Sequence, residues 1–165
     1  MDIRKLNRSD AESYFALRLE ALQQNPEAFS SSYEEESVRS PEVYGNRLEG
    51  ESSFTYGAFD EGKLIGVASL VLEEKLKMKH RANIYAVYVT GEKRGAGVAR
   101  KLMKVALEQA KSLEDIQQVY LTVSSENEPA KRLYQSLGFE AYGKDKRAMI
   151  VNGSYLDEDL MVLFF

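Results

Sequence analysis

Apolar residues recur at two different periods along this chain, and the change of period divides it. From Ala11 to Leu22 the positions Ala11, Tyr14, Phe15, Leu17, Leu19, Ala21 and Leu22 include a stripe of helical spacing. Ser9 or Asp10 is its expected N-cap, and Asn25-Pro26 its end. Ahead of it, "IRKL" (Ile3 to Leu6) alternates as a short strand. Between Pro26 and Pro41 the polar stretch "EAFSSSYEEESVRS" predicts a loop with one helical turn, followed by a short helix over Glu42 to Leu48. From Phe54 the period shortens to two. "FTYGAFD" and "KLIGVASLVLEE" read as strands joined at Glu61-Gly62, and "ANIYAVYV" as a third, rich in aromatic and β-branched residues.

The helical period then returns. Val98, Leu102, Val105, Ala106 and Gln109 mark one face of a strong helix. "QVYLTVS" (Gln118 to Ser124) reads as a buried strand, and "EPAKRLYQSL" as a helix stopped by Gly138. "FEAYGKDKRAMIV" and "SYLDEDLMVLFF" form a last antiparallel pair turned at Asn152-Gly153, a favoured hairpin dipeptide. This order predicts an α+β protein: a mixed sheet with helices on its faces. No repeat, linker or low-complexity tract interrupts residues 1–165, so one domain is expected.

Composition narrows the function. With 44% hydrophobic and 29% charged residues and a net charge of -4, nothing global points to nucleic acid or an anionic membrane as a partner. The charge is uneven, however: Lys75 to Lys104 is basic, while Glu34 to Glu36 and Asp157 to Asp159 are acidic. That suits a small anionic ligand bound at one place. The absence of cysteine excludes disulfides, thiolate metal sites and a cysteine nucleophile. His80 is the only histidine, and no clustered carboxylates accompany it, so no metal is expected. "MDIRKLNRSD" has no apolar core, and no apolar run nears the roughly 20 residues that span a bilayer. A cytoplasmic protein is expected.

The candidate chemistry lies in "EKRGAGVAR", residues 92 to 100, between a strand and a helix. Backbone N–H groups in the first turn of a helix lack partners, and the helix dipole adds positive potential there. With no side chains at Gly95 and Gly97, phosphate oxygens can approach the main chain, and Arg94, Arg100 and Lys101 strengthen the field. The segment reads as a pyrophosphate cradle, or else as a tight turn alone. It is no P-loop, which would need Gly-Lys-Ser/Thr where Gly97-Val98-Ala99 stands. Nor is it a dinucleotide fingerprint, which would place a third glycine at Arg100 within an early βαβ unit.

A second cluster decides between these readings. "SSENEPAKRLYQSLGFE", residues 124 to 140, follows the next strand. Together the two segments resemble the GNAT superfamily of N-acetyltransferases. The acetyl-CoA motif of that family, Arg/Gln-x-x-Gly-x-Gly/Ala, is matched by Arg94, Gly97 and Ala99. Its following helix pattern is matched by Asn127, Ala130, Tyr134, Gly138 and Phe139. The stretch "NPEAFSSSYEEE" is also similar to bacterial members of the family.

The resemblance implies a mostly antiparallel twisted sheet, splayed at its central strands. Acetyl-CoA would lie in the gap. Val87, Tyr88 and Val89 would bind pantetheine through their main chain, with the Val89 amide facing the thioester carbonyl. Arg94, Gly95, Ala96, Gly97, Val98 and Ala99 would take the pyrophosphate, and Asn127 and Ala130 would flank the pantetheine arm. Tyr134 matches the position of the general acid; a buried packing tyrosine is the alternative. A leaving thiol of pKa about 8.5 and a phenol of about 10 make that proton transfer nearly balanced.

The expected activity is acetyl transfer to a primary amine by direct attack, with a CoA-binding sensor of the same fold as the alternative. Many relatives carry a glutamate on the strand that here reads "HRANIYAVYV", which has none. Asn83, Tyr85 and Val87 are expected to share one face of it. His80, Glu34 or Glu35, or a chain of waters are the candidates for the base. Phe29, Glu34, Glu35, Asn83 and Tyr85 are the expected substrate-side residues. Substrate identity is expected to lie in the segments that the family varies: Phe29 to Glu36, Glu42 to Leu48 and the final hairpin around Tyr155 to Asp159. Their acidic and aromatic character suits a cationic amine of a small molecule or of a protein. "LMVLFF" is either a core strand or the edge of a homodimer.

Overall fold

The computed structural model describes residues 1–165. Seven strands form one sheet: β1 (Asp2–Lys5), β2 (Ser53–Asp60), β3 (Lys63–Leu72), β4 (Arg81–Val89), β5 (Gln118–Ser124), β6 (Glu140–Val151) and β7 (Ser154–Phe164). Their spatial order is β1-β2-β3-β4-β5-β7-β6. Every neighbouring pair is antiparallel except β4 and β5. The five helices are α1 (Ala11–Gln24), α2 (Tyr33–Glu36), α3 (Pro41–Leu48), α4 (Val98–Ser112) and α5 (Glu128–Ser136).

The alternation of strand residues sorts the core into two layers. Ala68 and Leu70 of β3 and Ala82 and Ile84 of β4 meet α4 through Val98, Leu102, Met103 and Ala106. Val67 of β3 instead faces α1, where Leu17, Ala21 and Leu22 close a second cluster with Leu6 and Leu48. Helices thus cover both faces of the sheet. Both expected hairpins form, with left-handed residues at Glu61-Gly62 and at Asn152-Gly153. β7 lies between β5 and β6, and Met161 and Val162 are buried. "LMVLFF" is therefore a core strand, and the sheet edge on that side is β6.

Asp10 stands at the N-cap position of α1, as expected, but its side chain does not cap the helix. The first cap is Asn7, whose side chain accepts from Ser9 N–H at 2.9 Å, while Asp10 is taken by Arg4 at 2.7 and 2.8 Å and by Asn7 N–H. Its carboxylate is thus unavailable to α1, which starts with no side-chain cap. The acidic run Glu34 to Glu36 divides between solvent and core. Glu36 is 1% exposed, held by Arg18 and Tyr44.

Candidate active site

The parallel pair β4 and β5 is joined over only Arg81, Ala82 and Asn83, opposite Gln118 to Tyr120. Beyond Asn83 the two strands part, leaving the edge of β4 from Ile84 to Val89 without a strand partner on the β5 side. The gap opens into a cleft of about 1330 Å³ that runs from the glycine segment to α3. An unpaired strand edge inside a cleft offers main-chain donors and acceptors to an extended, amide-bearing ligand.

A bulge shapes this edge. Ala86 has φ 55°, and the register slips there: Tyr88 faces Val67 of β3, yet Tyr85 faces Ser69. The extra residue reverses the alternation. Asn83 and Tyr85 point to the α1 and α3 face, whereas Val87 packs against the α4 cluster and Tyr88 enters the α1 cluster. The shared face expected of Asn83, Tyr85 and Val87 is therefore broken at Ala86.

At the end of β4 the chain makes one further turn and then starts α4 at Gly97. Gly97 and Gly95 both have φ 77°, a left-handed conformation that side chains resist, and a Cβ at either would meet no protein atom within 4 Å. None of the six amides from Gly95 to Arg100 donates to a protein acceptor; the first bond of the helix runs from Lys101 N–H to Gly97 O at 3.1 Å. Six free donors around an open concavity at a helix N-terminus fit a diphosphate. Gly95, Gly97, Val98 and Ala99 line the cleft, and Ala96 adds its amide only.

Arg94 acts differently from a simple phosphate ligand. Its Nε donates to Val89 O at 2.9 Å and its Nη2 to Asn25 Oδ1. The guanidinium ties the turn to the end of β4 and to the segment after α1. Glu20 of α1 secures the same corner by accepting from Tyr88 Oη at 3.0 Å and Thr90 Oγ1 at 2.7 Å.

On the far wall, Asn127 caps α5 by accepting from Ala130 N–H at 3.2 Å, with Pro129 in the first turn. The i, i+3, i+4, i+7 stripe Ala130, Leu133, Tyr134 and Leu137 then faces inward. Phe139, just past Gly138, meets the Tyr134 ring edge-on at 6.0 Å between centroids. Packing alone thus accounts for the Tyr-x-x-x-Gly-Phe spacing. Yet Tyr134 also lines the cleft, and burial alone, with no hydrogen bond to its hydroxyl, sets its acidity. Burial pushes that phenol up to about 12, so it holds its proton throughout the neutral range.

The substrate-side expectations divide. Phe29 and Tyr85 line the cleft; Asn83, Glu34, Glu35 and His80 do not. Asn83 donates to Glu73 at 3.0 Å. Glu35 is exposed and closes a capping box with Ser32, whose N–H and hydroxyl hold its carboxyl below the usual range. His80 precedes β4 at its paired end, away from the gap.

Other residues of the variable segments Glu42 to Leu48 and Tyr155 to Asp159 stand there instead, together with Arg18, which the sequence did not mark. Arg18, Tyr44 and Arg47 line the α1 and α3 side, and Glu158 of β7, opposite Ser124, lines the sheet side. Burial raises the Glu158 carboxyl, and Asp145 raises it further. Strict alternation in "LDEDL" was the available signal for Glu158, since it separates that residue from Asp157 and Asp159.

The pattern of the acetyltransferase (GNAT) family matches residues 16–139. Spermidine N(1)-acetyltransferase of Escherichia coli is 26% identical over 127 residues, covering 77% of this chain and 67% of that protein. L-amino acid N-acetyltransferase of the same organism is 28% identical over 97 residues, 59% of each chain. A structure of yncA, a putative acetyltransferase from Salmonella typhimurium solved with its cofactor acetyl-CoA, superposes with a TM-score of 0.87. It is 20% identical and covers 99% of this chain and 93% of that one.

Proposed function

This chain belongs to the acetyltransferase (GNAT) family, and from that premise we propose how its cleft works as an acetyl-CoA-dependent N-acetyltransferase. The observation that carries the reading is the row of six unpaired amides from Gly95 to Arg100 beside a cleft that Tyr134 also lines. These amides hold the diphosphate of acetyl-CoA, and the free edge of β4 from Val87 to Val89 holds the pantetheine arm, with Asn127 and Ala130 across from it. The bound thioester supplies an activated acetyl group. Main-chain donors past the Ala86 bulge stabilise the negative charge that develops on its carbonyl oxygen.

As the amine nitrogen bonds to the acyl carbon and the C–S bond breaks, Tyr134 gives its proton to the departing thiolate, and the extra proton on the nitrogen returns the phenolate to a phenol. A value of about 12 keeps the phenol in the acid form below about pH 11, and it makes the transfer to a thiolate of about 8.5 less balanced than the ordinary phenol value implied. The acceptor is the amine of a small molecule, the class named for the relatives that act on spermidine and on L-amino acids. It enters from the α1 and α3 side, where Phe29 and Tyr85 flank it, and residues 1–165 act as one catalytic unit.

The test is acetyl-CoA consumption across a panel of amines, repeated with Tyr134→Phe. The variant is expected to lower kcat about a hundredfold, within the usual range for a lost general acid, with acetyl-CoA affinity within about twofold. An unchanged kcat removes Tyr134 from the acid role. Because the phenol stays protonated, kcat of the wild type should rise with pH as the amine deprotonates and show no alkaline fall below about pH 11.

A further inference from the structure

The acceptor end of the cleft has an unbalanced cation. Five basic residues line the cleft, and four are engaged within the protein. Arg18 donates to both oxygens of Glu36 at 3.0 and 2.9 Å, and Lys93 pairs with Asp60 at 2.6 Å. Arg94 is tied to Val89 and Asn25, and Arg100 donates to Ser136 at 2.8 Å. The Arg47 side chain has no carboxylate partner and no hydrogen bond.

Arg47 is nevertheless held. Its guanidinium lies 5.4 Å from the centroid of the Tyr44 ring, one turn earlier on α3. Tyr44 is 1% exposed, and its hydroxyl donates to Glu36 at 2.7 Å. Glu36, also 1% exposed, is clamped by Arg18. The charge of Arg18 is thus cancelled in a buried triad, and that triad fixes the ring against which Arg47 rests. The charge of Arg47 is left facing the cleft. A guanidinium seated on a rigid ring with its N–H fork free matches a carboxylate.

The acidic lining is as sparse. Glu27 accepts from Asn25 beside the glycine turn, and Glu126 adjoins Asn127, so both belong to the cofactor end. Glu158, on the α1 and α3 face of the sheet, is the carboxylate left for the acceptor.

We propose that the acceptor is a small amino acid, an amine that also bears a carboxylate: Arg47 binds the carboxylate, and Glu158 faces the ammonium and takes the proton it loses. The N–H bond of the ammonium breaks, an O–H bond forms on Glu158, and the neutral amine that remains is the nucleophile. A polyamine offers Arg47 only like charge. This inference rests on the transferase reading and refines its acceptor.

The experiment measures kcat/KM for free L-amino acids, β-alanine and γ-aminobutyrate against the corresponding carboxamides and spermidine, in wild type, Arg47→Gln and Arg47→Lys. Free acids are expected to exceed carboxamides by about 30-fold, the scale of one charge-assisted hydrogen-bonded pair. Arg47→Gln should bring the ratio near one, mainly through KM, and Arg47→Lys should restore part of it. Carboxamides or spermidine turning over as well as free acids, or a ratio unmoved in Arg47→Gln, overturns the proposal. No turnover of any amine, with acetyl-CoA still bound by calorimetry, is a different failure: it removes the transferase reading and this inference with it.

Discussion

Gly97→Glu is expected to abolish acetyl-CoA binding while leaving the protein folded. The new carboxylate would stand among the unpaired amides of Gly95 to Arg100, the place proposed for the diphosphate. Two like charges about 4 Å apart in a partly screened site repel by about 4 kcal/mol, a thousandfold in affinity. The cost to the fold is smaller. A Cβ at Gly97 meets nothing within 4 Å, so the penalty is the left-handed φ of 77°, about 1–2 kcal/mol. Gly62→Glu is the matched control, with φ 80° and equally open surroundings in the β2–β3 turn. It should carry the same strain and bind acetyl-CoA normally by calorimetry. Equal binding by both variants would mean that the diphosphate lies elsewhere.

Glu36→Gln should destabilise the protein by about 3–5 kcal/mol, the usual result of removing one partner from a buried ion pair. Burial alone would raise the Glu36 carboxyl, but hydrogen bonds from Arg18 and Tyr44 outweigh it and bring the value down to about 2 from 4.5. A folded-state value below the unfolded one stabilises above the unfolded value, and that contribution fades as pH falls from about 4.5 toward 2. Urea midpoints of wild type and variant should therefore differ widely at pH 7 and converge toward pH 3. Removing both charges, as in Arg18→Met with Glu36→Leu, should cost less than Glu36→Gln, because no buried charge is left unpaired. Identical midpoints at pH 7 would show that the triad contributes nothing to stability.

The features legible in the sequence were those with local causes. The helix over Val98 to Ser112 and the hairpin at Asn152-Gly153 follow from periodicity and turn preference within a few residues of each position. The glycine segment and the Asn127 to Phe139 stripe were legible for the same reason: a helix start and a helix face are both short-range patterns. The bulge at Ala86 was not, because nothing in "NIYAVYV" distinguishes a regular strand from one with an extra residue; the pairing with β3 decides it. Glu36 was read with its acidic neighbours because its partner Arg18 lies half a helix and a loop away.

By itself, then, the sequence determined the order of elements, the α+β class, the glycine turn with its unpaired amides and the helix that presents Tyr134, since each depends on contacts within one element or across one turn. Tertiary structure alone decided which charges reach the cleft. Glu34 and Glu35 remain in solvent, Glu36 is buried against Arg18, and Arg47 and Glu158 are brought to the cleft from α3 and β7. Charge signs are visible in a sequence, but whether a charge is neutralised depends on partners that only folding brings within hydrogen-bonding distance.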